Sequence, residues 1–268
     1  MIDHNFLSPM YWLNAWQLSL ILVILMIVCI RLGSKVGKQR LKEEGYVDNP
    51  ANTTVFGSVF GLLAFLLAFT FNMSANRFDE RTQASITEAN NISITILRAD
   101  LYPDSDRIAF RRDIKGYLQA RIENITAGTD FTKINAADAT AFSYKNKIWR
   151  RATWYLKAGN NALTSDLMIT ALNAMFESAS TNEYTELLRV PQSIVAMLFV
   201  LSLVSSFFVG YLSVTKGKFD WFSGIGFCFL SALVIFITLD LDQPRRGLIQ
   251  HETSHQAIIS LMDEFKNE

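Results

Sequence analysis

Along this chain, apolar runs of membrane length alternate with polar stretches of helical spacing. The passage from one to the other is clearest between Val55 and Leu101. There VFGSVFGLLAFLLAFTF runs into NMSANRFDERTQASITEANNISITILRADL, with no proline or glycine between Gly61 and Pro103. At roughly 1.5 Å per residue, about 45 residues of helix reach about 68 Å, about twice the hydrocarbon thickness of a bilayer. The pattern predicts one long helix, the first half in lipid and the second half outside it.

The rest of the chain falls into place around that helix. Residues 1–71 read as a first membrane half with spans at 16–30 and 55–71. Trp12 and Trp16 suit the interface, and no Lys or Arg precedes Arg31, so the first apolar run reads as a membrane helix and not as a signal peptide. Residues 31–54 read as a short basic loop. From 72 to 189 the spacing predicts a soluble helical bundle. After the long helix, Ile108, Ile114, Tyr117, Leu118, Ile122 and Ile125 share one face, with arginines on the other. Ala141, Tyr144, Ile148, Ala152 and Tyr155 form a second stripe, and Leu167, Ala171, Met175 and Ala179 a third. Residues 190–239 hold spans at 191–212, opened by Pro191, and 221–239. Residues 240–268 form a tail in which Ile258, Leu261, Met262 and Phe265 could make a short amphipathic helix. The fold class is an all-α integral membrane protein, with four transmembrane helices and a helical bundle inserted between the second and third.

Composition narrows the function classes. Half of the 268 residues are hydrophobic, and 25 Lys plus Arg balance 25 Asp plus Glu. That balance gives no basis for binding nucleic acid. Cys29 and Cys228, the two cysteines, both sit in apolar runs, which leaves neither a disulfide framework nor a cysteine metal site. The partners expected are the lipid bilayer, further copies of the chain and small ions; no cofactor is called for. The basic residues Arg31, Lys35, Lys38, Arg40, Lys42, Lys216 and Lys218 outnumber Arg77, Arg81, Arg189, Arg245 and Arg246 at the opposite helix ends. By the positive-inside rule this places the termini and the bundle outside.

Three constellations carry chemistry. On a wheel of about 100° per residue, Ser58, Gly61, Phe65, Phe69, Asn72, Asn76, Glu80, Gln83, Thr87 and Asn90 fall within about 60° of one line. Ser58, Phe65, Phe69, Asn72, Asn76 and Glu80 are the pore-lining candidates, because several such helices around an axis make a phenylalanine constriction opening into a polar vestibule. The competing expectation is plain helix packing through the small residues Gly57, Gly61, Ala64 and Ala68. The second constellation is the charge cluster at the membrane exits, Arg77, Asp79, Glu80 and Arg81 with Asp240, Asp242, Arg245 and Arg246. Mutual ion pairing is expected there, because unpaired charge at a membrane boundary is costly. The third is His251-Glu252-Thr253-Ser254-His255, which matches H-E-x-x-H. So close to the end of the chain it lacks a third ligand and a cleft. The expected reading is a solvated tail, with His251 and His255 only weak metal candidates. No Gly-rich phosphate loop or G-x-S-x-G elbow occurs, and the chain does not read as an enzyme.

The stretch F-x-x-x-x-x-R-F-D-x-R from Phe71 to Arg81, E-A-N at Glu88 to Asn90, L-R-x-D-L at Leu97 to Leu101 and D-L-D-x-P-R-R-G at Asp240 to Gly247 resemble the bacterial bestrophin-like integral membrane family. The resemblance covers the four spans and the inserted helices, and implies a multi-pass protein of the bacterial inner (plasma) membrane. Its more distant likeness is to true bestrophins, pentameric anion channels with four membrane helices per subunit and an aromatic neck on the second. That likeness implies a cytoplasmic bundle, opposite to the charge count. H-E-x-x-H is not part of the family's pattern. The function expected is an oligomeric ion channel lined by the second span. The alternative is a non-conducting membrane sensor or scaffold whose bundle binds a partner.

Overall fold

A computed structural model describes residues 13–44, 50–159, 161–215, 218–219, 221–249 and 252–266. The helices are α1 (Ala15–Glu44), α2 (Pro50–Ala99), α3 (Asp104–Thr126), α4 (Phe131–Lys157), α5 (Ala162–Leu187), α6 (Gln192–Leu212), α7 (Trp221–Leu241) and α8 (Glu252–Ser260), then a 3-10 turn at Leu261–Phe265. Four helical segments are long and apolar enough to cross a membrane: α1, α2, α7 and the stretch that includes α6. The expected loop between α6 and α7 contains a two-rung antiparallel pair, β1 (Val214–Thr215) with β2 (Lys218–Phe219).

The 50 residues of α2 are the spine of the fold. Two apolar cores are strung along it. Near its start, Leu63 and Leu66 join Leu22, Met26 and Ile30 of α1, Val195 and Leu198 of α6, and Cys228, Ile235 and Leu239 of α7. Near its end, Ile92, Ile96 and Ala99 join Phe110, Ile114 and Leu118 of α3, Ile148 and Ala152 of α4, and Met168, Leu172 and Met175 of α5. The predicted stripes of α3 and α4 supply Ile114, Tyr117, Leu118, Ala141, Ile148, Ala152 and Tyr155 to this second core, whereas the α5 stripe supplies only Met175, the rest of the α5 contribution being Met168, Leu172 and Phe176. Ile108 departs from its stripe and is exposed, while Arg121, expected on the outer face, is buried.

Local signals set the helix boundaries. The carbonyl of Pro103 accepts from the N–H groups of Asp106 and Arg107 as α3 begins. Asp104 and Asp106 in that first turn suit the positive end of the helix dipole. Asp130 caps α4 by accepting from the N–H of Thr132 and Lys133, and Asn161 caps α5 through Thr164. Gly159, at φ 72°, turns the chain after α4 in a conformation that disfavours other residues.

One expectation about these helices is corrected. The stretch after Arg31 is not a loop, for α1 continues as helix to Glu44. Within the single chain the missing Cβ atoms of Gly57 and Gly61 would meet nothing within 4 Å, and the small residues at its close helix crossing lie elsewhere. They are Gly33 and Gly37 of α1 with Gly210 of α6. A Cβ on Gly33 would run into the Phe207 carbonyl, one on Gly37 would lie 2.7 Å from the Tyr211 carbonyl oxygen, and one on Gly210 would strike Ile30. The two backbones touch because these positions carry no side chain. Arg40 then bonds the Tyr211 hydroxyl, fastening the same crossing one turn further on.

Among the described residues the tail is docked through one face and does not stand free in solvent. Ile258 is fully buried and Phe265 nearly so, both in the core shared by α2 and α3. Arg111 of α3 donates to the Glu264 carbonyl at 2.8 Å and lies over the Phe265 ring.

Candidate functional site

The predicted stripe of α2 is open along its length. Ser58, Gly61, Phe65, Phe69, Asn72, Asn76, Glu80, Gln83, Thr87 and Asn90 are all exposed, Phe65 at 67% and Phe69 at 49%. The phenyl rings of Phe65 and Phe69 stack one turn apart, 6.4 Å between centroids at 17°. The Ser58 hydroxyl bonds back to the Thr54 carbonyl, so it adds little polarity of its own. Gly57, Ala64 and Ala68, beside the stripe, are exposed too. In the most apolar window of each spanning segment, only 17% of α2 is buried by the chain, against 33% to 39% for the others. The stripe continues past Asn90 into Ile94, Leu97 and Leu101, large apolar side chains that are likewise exposed.

The opposite face of α2 is fixed by buried charge. Arg81 is 2% exposed and donates to three carbonyls on two other segments: Leu188 at 2.7 Å, Leu241 at 3.0 Å and Thr185 at 3.3 Å. Burial, and then the charge of Arg189, pull its pKa down to about 10. The carboxylate of Asp242 stands 3.8 Å away and accepts from the Val190 N–H at 3.0 Å. Burial raises the pKa of Asp242. Two turns along α2, Glu88 receives two bonds from Arg121, at 2.6 and 3.0 Å, and one from Asn182 at 2.7 Å. Ser85 donates to the same Asn182, and Arg121 also reaches Glu183 at 2.6 Å. Burial opposes the Arg121 charge, but the Glu88 carboxylate outweighs it and holds its pKa well above the ordinary value.

The charge cluster at the membrane exits comes together only in part. Arg81 faces Asp242, as pairing across the exits requires. Asp240 instead accepts from the N–H groups of Leu248 and Ile249, both at 2.9 Å, folding the chain back after α7. Arg245 pairs with Glu186 of α5 at 2.7 Å and bonds the Asn124 carbonyl and side chain of α3. Arg77 is partly buried, with an Nε that has no hydrogen-bond partner, while Asp79, Glu80 and Arg246 are exposed. The D-L-D-x-P-R-R-G segment therefore ties α7 to α3, α5 and the start of α6.

His251 lies outside the described residues. His255 is half-buried near Glu186 and Arg245, and burial lowers its pKa. Among the described residues no three His, Cys, Asp or Glu side chains cluster to hold a metal ion.

Sequence reasoning missed Arg121, Glu88, Asn182 and Glu183. A signal for them existed. Arg121 follows Tyr117 by four and Ile114 by seven, and Arg81, Ser85, Glu88, Ile92 and Ala99 share one line on α2 at helical spacing. Nothing local signals that Arg245 meets Glu186.

A long helix carrying one open stripe and one charge-fastened face, with four membrane-length segments, can be set beside known proteins. No curated protein matches the chain. Among solved structures, a bacterial Bestrophin homolog from Klebsiella pneumoniae superposes with a TM-score of 0.63 at 14% identity, over 91% of this chain and 97% of the other. Another structure of a Klebsiella pneumoniae homolog gives 0.61 at 16% identity, over 91% and 97%. A crystal structure described as a membrane protein gives 0.64 at 14%, over 93% and 96%. At this identity the likeness shows a shared fold. A family model described as Bestrophin-like domain matches residues 20–254, nearly the whole chain from the first span to the start of α8. On that match the protein belongs to the Bestrophin-like family.

Proposed function

We propose that several copies of the chain assemble around an axis in the bacterial inner membrane and form an ion channel lined by α2. The observation that carries this reading is the open stripe: α2 is held along its back by Arg81 and Glu88, yet its front is exposed from Ser58 to Asn90. The small residues Gly57, Gly61, Ala64 and Ala68 offer little apolar surface to lipid and suit the close approach of a neighbouring helix. With a second copy seated on that face, the adjacent stripe turns to the axis. Phe65 and Phe69 then narrow the path within the membrane, Asn72 and Asn76 line a vestibule of amide dipoles, and Glu80 stands beyond them. In this arrangement α3 to α5 form a water-facing bundle between the second and third spans.

Purified protein in planar bilayers is expected to conduct, with Phe65→Ala raising the conductance. Phe65→Cys, in a background without Cys29 and Cys228, is expected to cross-link between copies. A silent wild type that also fails to cross-link supports the scaffold reading instead.

A further inference from the structure

On the outer wall of the helices that follow α2, a shallow cleft open to solvent lies between α3 and α4. Tyr144 lines it, its ring lying directly against α3 where Gly116 carries no Cβ. The Lys147 ammonium sits 4.7 Å above that ring. Arg151 grips Asp113 through Nη2 at 2.8 Å, which leaves its Nε buried with no hydrogen-bond partner. Arg112 and Arg150 line the walls, and Trp154 stands at the rim, 63% exposed.

Charge in the cleft is one-sided. Arg112, Lys147, Arg150 and Arg151 share a single carboxylate, Asp113, which Arg151 engages at 2.8 Å and which lies 3.8 Å from the Arg112 Nε. From Ala139 to Lys157 the sequence holds Lys145, Lys147, Arg150, Arg151 and Lys157 but no Asp or Glu, in a chain whose formal net charge is zero. A solvated helix face normally intersperses both signs. Guanidinium forks match the geometry of phosphate oxygens, and an exposed indole offers a flat ring to stack on.

We propose that this cleft binds a phosphorylated small molecule that carries a planar ring. The phosphates lie among Arg112, Lys147 and Arg150, and the ring stacks on Trp154. The site uses none of the α2 stripe, so it stands or falls apart from the channel reading.

Calorimetric titration of the full-length protein in detergent tests it, with ADP and inorganic pyrophosphate as probes. ADP is expected to bind saturably, and more weakly as ionic strength rises. The double variant Lys147→Ala/Arg150→Ala should lose about tenfold or more in ADP affinity, as expected for removal of two charge-assisted contacts. Trp154→Ala should weaken ADP several-fold and leave pyrophosphate unchanged. All three side chains are exposed, so an unchanged melting temperature shows that the fold is kept. No saturable binding of ADP to the wild type, or equal binding by the double variant, overturns the proposal. Equal affinity for ADP and pyrophosphate overturns the ring contact.

Discussion

Arg121 and Glu88 meet through two parallel bonds, Nε to Oε1 at 2.6 Å and Nη2 to Oε2 at 3.0 Å, with side chains 4% and 0% exposed. Removing Glu88 leaves the buried Arg121 with only the more exposed Glu183 as a carboxylate partner. Glu88→Ala is therefore expected to cost about 3–5 kcal/mol, and replacing both with apolar residues, Glu88→Leu with Arg121→Met, much less. Thermal melts followed by size-exclusion elution measure this. A double variant as damaged as the single one would show that the pair is not acting as a unit.

The crossing of α1 and α6 predicts a contrast between glycines. Gly33→Val would drive its side chain into backbone, the Phe207 carbonyl and the Tyr211 nitrogen, and is expected to cost about 3 kcal/mol or more, the upper end of overpacking effects. Gly57→Ala meets nothing within its own chain and should leave the unfolding of the isolated chain unchanged. Melting both variants in a detergent that keeps the chain monomeric checks it, and equal losses would contradict the assignment of Gly33 and Gly210 to the contact.

The docking of α8 is expected to weaken in acid. Burial lowers the pKa of His255 in the folded state below its ordinary 6.5. Between that lowered value and 6.5 the unfolded chain binds a proton that the folded chain does not, so stability rises with pH. The contribution is fully present above 6.5 and is lost as pH falls through and below it. Hydrogen exchange over residues 252–266 at two pH values should show faster opening in acid, and His255→Gln should remove the difference.

If the stripe lines an ion path, its charge sets which ions pass. Asn72→Asp with Asn76→Asp places rings of carboxylates where amides stood, and is expected to shift selectivity several-fold towards cations. Reversal potentials under a salt gradient read this directly. An unchanged reversal potential in a conducting variant would remove both residues from the path.

Much of this architecture is readable from spacing. The length of α2 follows from the absence of Pro and Gly between Gly61 and Pro103, and the stripe of α4 names the core residues Ala141, Ile148, Ala152 and Tyr155, whereas the α5 stripe is offset by one residue from the core positions Met168, Leu172 and Phe176 and shares only Met175 with the core. Gly33 and Gly37 were legible as a G-x-x-x-G pair, but the lysines around them read as a loop. Lysines at a membrane boundary are equally content on a helix that projects past it. Arg121 and Glu88 illustrate a different limit. Charge is taken by default to mark an outer face, whereas their wheel positions lie among Tyr117, Ile114 and Ile92. The Arg245–Glu186 pair joins residues distant in sequence, and only the tertiary fold brings them together.

The unbroken α2 also has a mechanical consequence. At 50 residues and about 1.5 Å each it is a rod of about 75 Å, so a tilt of about 5° at one end sweeps the other through roughly 6 Å. To the extent that the rod stays straight, a displacement of the far end, where α3, α5 and α8 pack, is carried along it towards Phe65 and Phe69. In this lever the fulcrum sits where Arg81 grips the carbonyls of Leu188 and Leu241.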